Sequence, residues 1–266
     1  MILASECDTA GEVICAPSDV KELFELPVHT LLGVEVNRTI LLTLLAAVIV
    51  SLLFYFGLRK KRLVPSKFEV MVETLVEFVR DGIARDVIGP EGTRYVPYLL
   101  SMFAFLLVAN LFEVTPFVNF PITSRMAIPF FLAIVTYVIF VFVGFSKNGF
   151  RYFLDTIWPK HVPLGLRWLV GLIELVSVFA LRPFTLAVRL FANMVAGHLM
   201  LTLLLGSGVI FVAAIGDIGA RAALGIPWFA LGVGIFLFEI VVSVLQAYIF
   251  TLLSAVYIQS SVHFEH

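Results

Sequence analysis

Three stretches of this chain, Thr39–Leu58, Tyr95–Phe112 and Met126–Ser146, run for 18 residues or more without a charge. At 1.5 Å per helical residue, such a run covers most or all of the roughly 30 Å of bilayer hydrocarbon. Composition agrees. Apolar residues make up 61% and charged residues 14%, against about 45–50% and 25% in ordinary soluble domains. Too few charges remain to coat a water-facing surface, which excludes a soluble enzyme and a disordered chain. The net charge of −1 gives no reason to expect nucleic acid. The 26 phenylalanines suit helices that face lipid.

Two longer apolar segments follow, 166–205 and 226–261, interrupted by Glu174, Arg182, Arg189, His198 and Glu239. Each exceeds what a perpendicular span needs, so they are expected to tilt or to extend beyond the bilayer. Gly206, Gly208, Gly216 and Gly219 mark their connection. Residues 66–88 differ in character. Glu69, Glu73 and Glu77 recur every four residues opposite Phe68, Val72, Leu75, Val79 and Ile83. That pattern is an amphipathic helix, preceded by Pro65 and ended near Gly89-Pro90. The adjoining basic cluster favours the membrane surface for it over docking on a soluble partner.

The expected fold is therefore all-α: five membrane-embedded helices and one interfacial amphipathic helix. Residues 1–38 form a tail, and 39–266 form one membrane domain with spans at 39–58, 95–117, 126–146, 166–205 and 226–261. Lys and Arg crowd after the first span (Arg59 to Arg62, Lys67) and around the linker after the third (Lys147, Arg151, Lys160, Arg167). These sides are expected to be cytoplasmic, which puts the N-terminus outside and the C-terminus inside. Residues 1–38 are acidic and lack a basic start with an apolar core, so no secretory signal is expected there. Cys7 and Cys15 either pair with each other in an oxidising compartment or stand as two free thiols.

Charged groups inside the spans are the functional candidates by default, since an arginine at mid-membrane costs about 2.5–3.5 kcal/mol on insertion scales. Arg189 lies deep in its segment, with Asn193 and Gly197 at i+4 and i+8 and with Ala187, Ala192 and Ala196 keeping neighbouring positions small. Its guanidinium keeps its proton and needs an acid; the acid is either Glu239 or a carboxylate of another subunit. Arg182, seven residues earlier, is either buried or paired with Glu174. His198 and Glu239 form a titratable pair, one on each long helix, and a pair that can each take or give a proton suits a relay. Ser243 and Gln246 share the face of Glu239 and extend it into a polar stripe that water can follow. Glu113, with Asn110 before it, either ends the second span or lines a watery access route. No third ligand stands near His198 or Glu239 and no HExxH occurs, so no metal is expected. Nothing resembles a phosphate loop, and no cofactor is expected.

The run Leu186-Ala-Val-Arg-Leu-Phe-Ala-Asn-Met-Val-Ala-Gly-His198 resembles the signature of the a subunit of F-type ATP synthase, called subunit 6 in mitochondria. A second signature is Leu245-Gln-Ala-Tyr-Ile-Phe-Thr-Leu-Leu, with Glu239 seven residues before Gln246. The resemblance covers roughly residues 24–266 and leaves out the N-terminal tail. It implies a membrane stator whose last two helices form a tilted hairpin against a rotating ring of c subunits, beside peripheral-stalk b subunits and other ATP synthase subunits in the lipid bilayer. Arg189 would then meet the ring carboxylate. Asn193, His198, Glu239 and Gln246 would serve proton access, joined by Ser243 on the polar stripe, with Glu113 and Glu174 as further acidic positions. The order histidine then acid is that of the mitochondrial type. Two departures stand out. The loop reads Pro121-Ile-Thr-Ser-Arg125, with a cation where the family often has an acid or another polar residue. Glu174 lies nine residues before Pro183, where eight is usual.

The function so implied is proton translocation through two offset half-channels, with ATP formed on other subunits. The location would be an energy-transducing membrane, a bacterial plasma membrane in preference to the mitochondrial inner membrane. The alternative is a secondary transporter with Arg189 binding an anionic substrate. It predicts broken helices and an internal repeat, and the sequence shows neither.

Overall fold

The computed structural model of the chain describes residues 13–15, 29–31, 34–59, 66–115, 118, 120–149, 163–214, 216 and 219–262. The elements are strands β1 (His29–Leu31) and β2 (Val34–Val36), and helices α1 (Arg38–Leu58), α2 (Lys67–Val79), α3 (Val96–Val114), α4 (Ala127–Asn148), α5 (Leu164–Val176), α6 (Arg182–Ala213) and α7 (Gly225–Val262). Arg80–Ile88 continues α2 as a π-helix, and Ser177–Leu181 joins α5 to α6 in the same form. Among the described residues five helical runs are long and apolar enough to cross a membrane: Arg38–Leu58, Pro90–Val114, Ala127–Lys147, Leu166–Ala213 and Gly219–Val262. The fold is an all-α membrane protein. The two three-residue strands pair antiparallel, His29 opposite Val36, in what was expected to be a plain tail.

The fourth run extends past Leu205 to Ala213, so Gly206 and Gly208 lie inside α6 rather than in the connection. Their neighbours explain the difference. A Cβ at Gly208 would stand 2.6 Å from the Phe229 backbone nitrogen, and one at Gly232 2.6 Å from the Leu205 side chain. These glycines let α6 and α7 approach closely, which is how helices pack where lipid removes the usual hydrophobic drive. They break nothing.

Contacts divide the chain into two compact units. The first comprises Met1–Ala46, Leu107–Arg125 and Ala192–Leu245. Within it, Arg38 donates to the Val118 carbonyl at 2.7 Å and lies 5.5 Å from the ring centroid of Phe120. That contact holds the segment after α3, whose Phe120, Ile122, Thr123 and Ser124 are all buried. Cys15 is disulfide-bonded and fully buried. Its N–H donates to Ser207 Oγ at 2.9 Å, while Trp228 Nε1 donates to the Val13 carbonyl at 3.0 Å. Cys7 lies outside the described residues.

The second unit comprises Ala47–Leu106, Met126–Phe191 and Gln246–His266. Here α2 starts with Ser66 as N-cap and Glu69 completing a capping box, worth about 1 kcal/mol. Val72, Val79 and Ile83 of the expected stripe are buried, and Glu73 and Glu77 are exposed. Phe68 is exposed instead of joining that stripe. Val72 presses on Gly57 of α1, where a Cβ would come within 2.7 Å. Gly89, at φ 87°, ends the π segment in the left-handed region that favours glycine. On its surface the Arg80 guanidinium hydrogen-bonds Asp81 and holds that carboxyl below its ordinary value.

Candidate functional site

The first unit gathers polar side chains where no water-facing surface exists. Glu113, near the end of α3, is 1% exposed; His198 on α6 and Glu239 on α7 are each 5% exposed. Glu113 and Glu239 lie within electrostatic range of each other. Glu239 reaches α6 at Gly197, the residue before His198. A Cβ at 197 would stand 2.6 Å from both carboxyl oxygens and the carbon between them. Glycine at 197 leaves room for the carboxyl in this position.

Asn110, one turn before Glu113 on α3, is the junction of the cluster. Its amide nitrogen donates to the Ser243 carbonyl at 3.3 Å, and its amide oxygen accepts from Thr123 Oγ1 at 3.3 Å. All three residues are buried. Five buried side-chain atoms here have no hydrogen-bond partner among the described residues: both Glu113 oxygens, Glu239 Oε2, Ser243 Oγ and Asn193 Nδ2. An unsatisfied buried polar atom costs roughly 1–3 kcal/mol, so a dry interior would not retain five together. Buried polar groups of this kind ordinarily find their partners in water or in another chain.

The sequence missed Thr123 and undervalued Asn110 and Gly197. Uncharged polar residues near a span end are cheap and common, so they carry little signal. The departure at Arg125 drew attention to a missing acid, while Thr123, two residues earlier, supplies the buried hydroxyl.

Arg189, Gln246 and Glu174 belong to the second unit. Arg189 is exposed and makes no ion pair among the described residues. The exposed stripe of α6 around it is Thr185, Arg189, Ala192 and Ala196, while Gly197 is buried and Asn193 half-buried. The helix period explains why the expected i+8 face turned inward. Eight residues rotate about 80° away from the start, whereas seven return to within about 20°. Ala187, expected beside Arg189 on the small face, is fully buried. Gln246 is buried, and its amide nitrogen has no hydrogen-bond partner among the described residues.

Glu174 is half-buried near the end of α5. The π segment Ser177–Leu181 lies between it and Pro183. One wider turn absorbs one extra residue, which accounts for a spacing of nine. Arg182 does not pair with Glu174. It donates to Ser260 Oγ at 3.0 Å and lies 5.3 Å from the ring centroid of Tyr257.

A model of the family described as ATP synthase A chain matches residues 40–259. The chain belongs to that family. ATP synthase subunit a of Frankia alni is 41% identical over 261 residues, covering 92% of this chain and 86% of the relative. The Rhodococcus erythropolis subunit is 39% identical over 231 residues, covering 86% and 83%. The Rhodospirillum rubrum subunit is 36% identical over 233 residues, covering 87% and 91%. As a member of the ATP synthase A chain family, this chain is a proton-translocating subunit of the F-type ATP synthase complex in an energy-transducing membrane, and not the subunit that forms ATP. That membership replaces the transporter alternative.

Proposed function

We propose that the chain is the stator against which a ring of c subunits turns, and that its two sets of polar groups are two offset proton half-channels. The exposure of Arg189 carries this reading. A permanent cation in an apolar helix, flanked by small residues and unpaired among the described residues, is stable only against a carboxylate supplied by another chain.

The outer half-channel runs along Glu113, Asn110, Thr123, Ser243, Glu239, His198 and Asn193. A proton arriving there neutralises a ring carboxylate, which can then turn into lipid. When the ring brings that carboxyl to Arg189, the fixed cation favours its ionised form and expels the proton. Gln246 and Glu174 belong to the inner route to the cytoplasm. Each proton crossing releases about 2.3 kcal/mol per 100 mV of membrane potential. The N-terminus lies outside, the C-terminus and the α2 surface helix lie on the cytoplasmic side, and b subunits of the peripheral stalk brace the assembly. The relatives reported above are bacterial, which supports a bacterial plasma membrane.

The test is Arg189→Ala in the whole complex. ATP-driven acidification of vesicles should vanish, while passive proton uptake driven by a potassium diffusion potential should rise. Retained pumping would overturn the assignment. Lost pumping without leak would keep Arg189 essential but remove its role as the barrier between the channels. Arg189→Lys, with a compact ammonium in place of the planar fork, should rescue pumping only in part.

A further inference from the structure

Within the second unit, the turn before α3 and the last turns of α4 enclose a groove of about 330 Å³. One end is polar: Arg94, Tyr95, Ser146 and Lys147 line it. The other end is apolar, with Val138 and Phe142 one helical turn apart. These two are 56% and 70% exposed.

Length and charge both point to one kind of occupant. From Val138 to Lys147 a helix rises about 13 Å, close to the half-thickness of a hydrocarbon core of roughly 30 Å. The groove is thus one leaflet deep, with its cations at the water boundary. Lys147 pairs with Glu91, and Arg94 is exposed with no ion pair among the described residues. Among the described residues two cations here stand against one carboxylate.

We propose that this groove is a binding site for one monoanionic glycerophospholipid, such as phosphatidylglycerol. Its phosphate sits between Arg94 and Lys147, its glycerol hydroxyls meet Tyr95 and Ser146, and an acyl chain lies along Val138 and Phe142. Arginine suits this role because its planar fork can meet two phosphate oxygens at once. A zwitterionic lipid brings its own cation and gains less here. The proposal rests on the membrane placement given above, which puts the Arg94 end in the cytoplasmic leaflet, where anionic lipids concentrate.

The test replaces Phe142 with photoreactive benzoylphenylalanine in the complete complex. The complex is reconstituted into phosphatidylcholine vesicles containing a minority of phosphatidylglycerol, and the adducts are identified by mass. Phosphatidylglycerol adducts should exceed that lipid's share of the bilayer about fivefold. Arg94→Gln should bring them down to the bilayer share, and Arg94→Lys should keep most of the enrichment. ATP-driven pumping in each variant reports assembly separately, and it is the readout on which the stator reading stands or falls. Adducts that mirror the bulk lipid would mean an ordinary lipid annulus and overturn the proposal. So would adducts to another subunit, or enrichment that survives Arg94→Gln. Soluble glycerol phosphate should not compete; displacement by it would show that the headgroup alone is recognised and refute the acyl-chain part.

Discussion

A methyl group at position 197 should slow proton transfer without harming assembly, and the same methyl at 208 should do the reverse. The two glycines share helix α6, and a Cβ at either would meet its nearest neighbour at 2.6 Å. What differs is the neighbour. At 197 it is the carboxyl of Glu239, the end of a side chain with rotatable bonds. At 208 it is the backbone of Phe229, which cannot move without α7. In Gly197→Ala, widening the contact from 2.6 Å to the 3.4 Å of ordinary van der Waals approach displaces the Glu239 carboxyl by roughly 0.8 Å. A misplacement of about 1 Å can lower a positioned reaction about 100-fold, so proton transfer through Glu239 should fall between about 10- and 100-fold. Alanine is otherwise the better helix former by about 1 kcal/mol, so the complex should accumulate normally. Gly208→Ala should cost about 1–3 kcal/mol in overpacking and lower the amount of assembled complex. The assay is ATP-driven acidification of inverted vesicles, normalised to complex content by immunoblot. Wild-type pumping by Gly197→Ala would show that the carboxyl's position does not limit proton flow. Equal loss of assembly in both variants would refute the distinction between flexible and backbone neighbours.

Three other outcomes follow from the same geometry. Glu239→Gln should slow proton-driven ATP synthesis strongly with assembly intact, and normal flux in an assembled variant would take Glu239 off the path. Cysteines placed at 69, 73 and 77 should react with an impermeant maleimide from the cytoplasmic side while those at 72 and 79 stay protected; labelling from outside would reverse the topology. Because the Arg80 hydrogen bond lowers the Asp81 pKa in the folded state, its stabilisation should be complete above the ordinary carboxylate value and should fade as pH drops through the folded value. The difference in thermal stability between the wild-type and Asp81→Asn complexes should therefore shrink on acidification, and a constant difference would contradict the pairing.

Charge in apolar sequence was the most legible signal. Arg189, His198 and Glu239 announced themselves because lipid penalises each of them, and the spans were legible from the absence of charge. Position on the helix was less legible. Gly197 belonged by spacing to the face of Arg189, yet the 100° step turned it beneath Glu239. Gly206 and Gly208 read as a break because glycine serves turns and close helix packing alike, and only the facing side chain distinguishes the two. The π segment after α5 left no trace in composition; its sign in the sequence was the nine-residue spacing from Glu174 to Pro183, which does not by itself say where the helix widens. Asn110 and Thr123 were hidden for a different reason: their importance comes from pairing across 13 residues of chain, which no local pattern encodes.

The contacts of Val13 and Cys15 impose an order on biogenesis. Their partners, Trp228 and Ser207, lie 215 and 192 residues downstream. At about 5–20 residues per second, the ribosome needs roughly 10–40 s to deliver them after the segment itself has been made. During that interval the carbonyl of Val13 and the N–H of Cys15 lack the partners they have in the folded chain. These two contacts can form only when α6 and the start of α7 have been made. Docking of the segment therefore marks the arrival of α6 and α7, and accessibility of this stretch to a protease would report, in a growing membrane, the fraction of copies in which that pair is not yet in place.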